Sequence, residues 1–244
     1  MLAVGVVPAR GGSKGIPRKN LAPVAGRPLL AYTAQAARQA KTLQRCLLST
    51  DDPEIAEVGR RCGLEVPFLR PRELASDTAR SVDVLLHATT WMDEAWGLRP
   101  DLLVLLQPTA PLRTAADIDA AVRLLADSDA DSVVSVTRVP AHFSPAWQLR
   151  IDEGNILHLL DGQPLSAIVS RRQDLPVTYS RDGALYVVRR RVLLATCSLY
   201  GTKTLAYVMP GERAVNIDSW EDLRLAEEKI RAAERDRDEG ERSE

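Results

Sequence analysis

The 244-residue sequence predicts an α/β fold: a mostly parallel sheet with helices on both faces. Three observations carry this. Short apolar runs alternate with longer amphipathic stretches, strands separated by helices argue for βαβ units, and several amphipathic stretches open on helix caps. Strand-like runs lie at 2–8, 45–49, 64–69, 101–107, 132–137, 184–189 and 204–209, and helix-like segments at about 28–41, 53–62, 81–96, 115–126 and 220–238.

In chain order, Leu2-Ala3-Val4-Gly5-Val6-Val7 opens as a β-like run. Asp52-Pro53-Glu54 supplies an N-cap, a proline at the first helical position and an early acid, and Gly63 closes that helix. Thr114 with Asp117, and Ser219 with Asp222, have capping-box spacing with Asp in place of Glu or Gln. From 138 to 182 the alternation breaks down into a turn-rich stretch with short irregular strands near 147–151 and 156–160, the length of a lid, an arm or an interface. The expected domain is 1–230 with this excursion, 138–176, as an arm. Residues 231–244 are expected to form a charged tail without fixed structure, because mixed charge replaces apolar periodicity. In parallel sheets of this kind ligands bind beyond the carboxyl ends of the strands.

Charge is near balance, 32 basic against 33 acidic residues, which argues against a general nucleic-acid binder or a polybasic membrane protein. Residues 1–50, however, hold eight basic side chains and no acid, leaving 24 basic and 33 acidic groups in the rest. No stretch approaches the roughly 20 apolar residues of a membrane helix, and the opening run lacks the features of a targeting peptide. Three scattered cysteines and three scattered histidines show no zinc spacing, so a reduced cytoplasmic protein is expected. His87, at a helical position among Leu85, Leu86 and Ala88, reads as structural, and no Cys–His or Ser–His pairing supports nucleophilic acyl chemistry.

The strongest chemical feature follows the first strand: Pro8-Ala9-Arg10-Gly11-Gly12-Ser13-Lys14-Gly15-Ile16-Pro17-Arg18-Lys19-Asn20. Three glycines let backbone N–H groups approach a ligand, and four cations without an acid suit a triphosphate. The loop is neither a Walker A nor a GxGxxG sequence. A second feature, Leu106-Gln107-Pro108-Thr109-Ala110-Pro111-Leu112-Arg113, delivers Gln107 to the strand exit. A third is Asn216-Ile217-Asp218. If extended, residues 216 and 218 share a face and suit Mg²⁺, while Asp218 equally suits the dipole of the helix beginning at Ser219. In Arg171-Arg172-Gln173-Asp174-Leu175-Pro176, Arg172 is suited to grip a carboxylate and Arg171 reads as a surface ion-pair partner.

These segments, together with Arg70-Pro71-Arg72-Glu73-Leu74-Ala75-Ser76-Asp77 and Gly183-Ala184-Leu185-Tyr186, resemble the acylneuraminate cytidylyltransferases in order over roughly residues 3–228, the loop and the Gln107 segment being the specific ones. The related KDO cytidylyltransferases have a different phosphate loop. The resemblance implies a Rossmann-like nucleotidyltransferase fold with a dimerisation arm, a homodimer, and transfer of CMP from CTP to a nonulosonic acid with release of pyrophosphate. It places Arg10 and Lys19 on the triphosphate with Gly11, Ser13 and Lys14 in the same loop, Asn20, Arg70 and Ser81 at the cytidine, Gln107 and Arg172 on the sugar acid, and Asp218 with Asn216 at Mg²⁺. The arm, 138–176, would reach across the partner's active site.

Two residues depart from the family pattern. Asn216 stands where an aspartate is frequent, removing one negative charge at the metal, and Asp182-Gly183 replaces Asn-Gly, both types accepting turn geometry. Alternatives are a transferase for pseudaminic or legionaminic acid or another sugar, and a non-catalytic nucleotide-binding relative.

Overall fold

The computed structural model describes residues 1–241. In chain order, β1 (Ala3–Pro8) leads through the glycine-rich loop to a small hairpin, β2 (Pro23–Val24) and β3 (Arg27–Pro28). Helix α1 (Leu29–Gln39), β4 (Leu43–Ser49), α2 (Pro53–Arg61), α3 (Ser81–Trp96), β5 (Leu102–Leu106), α4 (Ala115–Ala126) and β6 (Ser132–Arg138) follow. An excursion with the hairpin β7 (Leu149–Ile151) and β8 (Leu157–Leu159) comes next, then β9 (Tyr179–Arg189), α5 (Arg190–Thr196), β10 (Thr204–Val208) and α6 (Trp220–Glu241). Six strands form one sheet in the order β10-β6-β9-β5-β1-β4, parallel throughout except for β9.

Two-sided burial explains why these segments are strands. Leu102, Val104 and Leu106 enter one apolar cluster with α1, α2 and α4, while Leu103 and Leu105 enter the other with α3 and α5. Successive side chains point to opposite faces, so an all-apolar run is what a doubly covered strand requires. A third cluster joins Ile16 of the glycine-rich loop to Val24, Leu29, Val215, Ile217 and the α6 residues Leu223, Ala226 and Ile230. The loop is therefore anchored from below by an apolar side chain, although its sequence is dominated by glycine and charge.

The expected caps form. Asp52 accepts from the Glu54 and Ile55 amides, Thr114 and Asp117 make a reciprocal box, and Gly63 takes the left-handed conformation after α2. Four expectations need correction. Residues 64–69 make only an isolated parallel bridge, Glu65 to Leu47, because Pro67 has no N–H with which to extend the ladder. Helix α5 lies within a stretch read as the link between two strands; seven residues that open on two arginines show little periodicity. The tail expected from 231 is helical to Glu241, and residues 242–244 lie outside the described residues. The strand expected at 184–189 begins five residues earlier, at Tyr179.

That early start has a structural reason. β6 ends at the carboxyl edge of the sheet, the excursion sits on that edge, and the chain re-enters from it as antiparallel β9 between β6 and β5. Pairing with β6 is interrupted between Val134 and Val136, a bulge. The Asp182 carboxylate organises it, accepting from the Ala184 amide at 2.9 Å and from Ser135 Oγ at 2.5 Å, while Gly183 adopts φ 75°. Asp182-Gly183 is thus a bulge inside a strand. No helix among the described residues is long and apolar enough to cross a membrane.

The loop carrying Asn216 and Asp218 is tied to α4 by a charged clasp. Asp117, almost fully buried, accepts from both terminal nitrogens of Arg213 at 2.7 and 2.8 Å and from the Tyr207 hydroxyl at 2.7 Å. Burial and that carboxylate push the Tyr207 phenol up to about 12. Asp117→Ala would leave Arg213 without its partner and remove half of a capping box. A loss of about 3 kcal/mol in unfolding free energy is expected from urea denaturation.

Candidate active site

β1, β4 and β5 run parallel, so their carboxyl ends share one edge, and β1 is flanked by the strands that follow it on opposite sides. That makes the gap beyond β1 and β5 a topological switch point, the usual ligand position in such sheets. A cleft of about 400 Å³ opens there. Arg10, Ser13, Lys19 and Asn20 from the loop after β1, Arg70 and Ser81 from either side of the 71–80 segment, Gln107 from the exit of β5, and Asn216 and Asp218 line it. Nine of the twelve residues singled out from sequence thus meet in one cavity.

The loop is held rigidly. The Asn20 amide donates to the Arg10 carbonyl at 2.9 Å, and the Gly11 N–H donates to Asp51 Oδ1 at 3.0 Å. Lys19 Nζ donates to the Ile217 carbonyl at 2.7 Å and to Asp218 Oδ1 at 3.0 Å. Gly15 passes so close to the Asp218 backbone that a Cβ on it would lie 2.3 Å from the carbonyl oxygen. The glycine-rich loop and the Asn216–Asp218 segment are therefore one unit, although about 200 residues separate them in sequence.

Every cation of the loop has a carboxylate partner. Arg10 and Lys14 both pair with Asp77, at 2.9 and 2.8 Å, and Lys19 pairs with Asp218. Arg18, grouped by sequence with the phosphate cations, turns away to Asp52 and Glu54 at the start of α2 and lines no part of the cleft. Lys14 likewise stands outside the lining, bound to Asp77. The two cations at Asp77 hold its carboxyl below the usual aspartate range, chiefly through the Lys14 hydrogen bond, so it is ionised at neutral pH.

Arg70 is the most buried of the cations lining the cleft, with 3 % of its side chain exposed and Asp51 3.8 Å away. Its Nε has no partner, and burial lowers its pKa despite Asp51. Asp218 is the opposite case, its side chain 73 % exposed. The helix-capping role open to it in the sequence falls to Ser219 and Asp222, whose carboxylate takes the Asp218 and Ser219 amides at 3.0 and 2.8 Å. Asp218 is left facing Lys19 and the cleft. Asn216 Nδ2 approaches Asp218 Oδ2 at 3.4 Å.

One carboxylate and one amide oxygen suit Mg²⁺ only if substrate phosphates complete the shell, the usual arrangement for that ion. No group of three or more His, Cys, Asp or Glu that could hold a metal occurs among the described residues. Chemistry through a nucleophilic side chain finds no support. The three cysteines are free and none lines the cleft; burial pushes the Cys46 thiol up to about 12. His87 packs edge-on against Phe68, ring centroids 4.8 Å apart, as a structural residue.

Arg172 stands apart. With Arg138 and the buried Ser144 it lines a separate pocket of about 330 Å³ on the excursion, and it does not reach the cleft of its own chain. Asp77 received no role from sequence; its only signal was its place in the Arg70–Asp77 segment, and only folding brings it onto two cations.

A nucleotide-sized, cation-lined cleft at the switch point of such a sheet defines a nucleotide-binding α/β enzyme. The chain belongs to the cytidylyltransferase family, whose model, described as Cytidylyltransferase, matches residues 4–229. It is 33% identical over 232 residues to the CMP-N,N'-diacetyllegionaminic acid synthase of Legionella pneumophila, covering 93% of this chain and 95% of that protein. It is 32% identical over 225 residues to the N-acylneuraminate cytidylyltransferase of Escherichia coli O18:K1:H7, covering 91% of this chain but 51% of that longer protein. Among solved structures, CMP:2-keto-3-deoxy-manno-octonic acid synthetase complexed with CTP shares the fold, with a TM-score of 0.70 over 96% of this chain and 100% of that one at 18% identity.

The Gly15 contact yields a direct test. Gly15→Ala must displace either the loop or Asp218, because the obstacle is backbone. Calorimetric titration is expected to show CTP affinity reduced on the order of tenfold or more. Gly211→Ala, where nothing lies within 4 Å, is the neutral comparison.

Proposed function

We propose that this chain transfers CMP from CTP to the anomeric hydroxyl of a nonulosonic acid of the sialic type, releasing pyrophosphate. The observation that carries this reading is the convergence of Arg10, Ser13, Lys19, Arg70, Gln107 and Asp218 on one cleft at the switch point. Arg10, Lys14, Lys19 and the loop amides neutralise and bind the triphosphate. Arg70, with Asn20 and Ser81, receives the cytidine. Gln107 holds the sugar acid beside the α-phosphate. The hydroxyl oxygen attacks phosphorus in line, its proton passes to solvent, and the bond to the β-phosphate oxygen breaks.

Such a reaction asks the protein mainly for positioning and charge stabilisation. No histidine lines the cleft, in keeping with that division of labour. Asp218 and Asn216 would hold Mg²⁺ together with the triphosphate; when bound, the ion polarises the α-phosphoryl group and offsets charge on the departing pyrophosphate.

Arg172 binds the sugar carboxylate in this reading, and a second copy of the chain brings it to the cleft. Support comes from the excursion, where Phe143, Ile151, Ile156, Leu160, Val177 and Tyr179 are all exposed, an apolar surface unusual on a monomer. Legionaminic acid is a second candidate substrate, supported by the match over 95% of the Legionella CMP-N,N'-diacetyllegionaminic acid synthase.

Incubation with CTP, Mg²⁺ and a panel of N-acetylneuraminic, legionaminic and pseudaminic acids, followed by pyrophosphate release, tests the reaction. CTP binding without turnover of any acid points instead to a non-catalytic nucleotide-binding protein. With the preferred acid, Arg172→Ala is expected to raise the KM for the acid far more than that for CTP, and the reverse would sink the assignment.

Asp77 supplies a further expectation. A triphosphate that binds Arg10 and Lys14 must displace its carboxylate. Because exposed ion pairs are weak, Asp77→Asn should lower the KM for CTP by roughly two- to tenfold in steady-state assays. A raised KM would mean that Asp77 holds the cations in their productive places.

A further inference from the structure

Arg113 lies outside the cleft yet donates three hydrogen bonds behind it. It is 3 % exposed, and the carboxylates of Asp117 and Asp182 act on it through space while its hydrogen bonds go to neutral acceptors. Its Nη1 donates to the Gln107 carbonyl at 3.1 Å and the Ala184 carbonyl at 2.5 Å, and its Nη2 to Thr33 Oγ1 at 2.7 Å. Three separate elements, the exit of β5, the bulge of β9 and the interior of α1, are thus held by one guanidinium. Burial lowers its pKa to about 10, so it remains charged at neutral pH.

A buried cation surrounded by neutral acceptors costs free energy that an apolar residue of similar size would not. What only a guanidinium supplies is a rigid fork of donors that fixes the relative positions of its acceptors. Two of those acceptors are backbone carbonyls at or beside the cleft. Gln107 lies so close to Gly183 that a Cβ there would sit 3.0 Å from Gln107 Oε1, with Asn216 Cγ at 3.6 Å. The same turn reaches the Asn216–Asp218 segment, since the Ile217 amide donates to the Thr109 carbonyl at 2.8 Å.

We propose that Arg113 is a positioning residue for the sugar-acid subsite: by clamping the Gln107 and Ala184 carbonyls together it sets the Gln107 side chain against the Gly183 bulge and Asn216. The inference rests on the reading that Gln107 faces the sugar acid. Its action is on the acceptor substrate. The hydrogen bonds of Arg113 reach no residue of the loop that binds CTP, which is held through Ile16, Asn20 and Lys19.

The test compares Arg113→Lys, Arg113→Met and Thr33→Val, the last an isosteric change that removes one anchor of the guanidinium and carries the test if the Arg113 variants do not fold. With wild-type turnover in hand, the Arg113 variants are expected to lose kcat/KM for the acid on the order of 10- to 100-fold, Lys less than Met, while the KM for CTP stays within about twofold. Thr33→Val shifts the same parameter in the same direction by less. Equal effects on both substrates, or no effect in folded protein, overturn the proposal. If the wild type turns over no acid, the functional reading fails separately. Hydrogen exchange then decides: faster exchange confined to the Gln107 and Ala184 amides in Arg113→Lys supports the clamp, and unchanged or uniformly raised exchange overturns it.

Discussion

A parallel sheet buried on both faces forces the connections after β1, β4 and β5 to emerge at one edge, and the molecule is organised by that constraint. Apolar side chains leave β5 alternately into two cores, so the strand cannot slip by one residue without exchanging its faces, and the exit at Gln107 is fixed with it. The glycine-rich loop, the Asp51–Asp52 turn and Gln107 meet at the edge because no other position is open to them. Antiparallel β9 follows from the same geometry. An excursion that leaves β6 at the carboxyl edge must return from that edge, and its bulge falls beside Gln107.

Charge then has to be arranged on this frame. Residues 1–50 bring cations without acids, and a loop so loaded would repel itself in an empty cleft. Folding supplies the acids from later in the chain: Asp52 and Glu54 to Arg18, Asp77 to Arg10 and Lys14, Asp218 to Lys19. These pairs are partly exposed and individually weak. Weak pairing is what an exchangeable site needs, because a polyphosphate can replace the carboxylates without paying for a deeply buried ion pair. Arg70 and Arg113 differ in kind: both are buried, Arg70 near Asp51 and Arg113 among neutral acceptors.

The separation of Arg172 from the cleft has a related origin. The excursion packs little of its apolar surface against its own sheet, and its pocket with Arg138 and Ser144 belongs to the arm alone. A residue on such an element can serve a cleft only if the element docks on another surface. That reading joins the exposed apolar face and the distant arginine in one explanation.

Much of this was legible in the sequence. The α/β class, five of the six helices, the caps at Asp52 and Thr114 and the loop after β1 follow from local rules, because periodicity, capping and glycine content act over a few residues. Nine cleft residues could likewise be named, Asn20, Arg70 and Ser81 among them only through the family resemblance. What the tertiary structure alone decided is partnership over long range. Arg18 turns from the cleft to Asp52 and Glu54, Asp77 lines it, and Asp182-Gly183 became a bulge because β6 and β5 flank it. Arg113 looked like the end of a strand-exit motif and is instead the buried clamp behind it. Sequence spacing specifies which face of an element a side chain occupies, but which charges and carbonyls meet there depends on segments up to about 200 residues apart, and only the packed sheet brings them together.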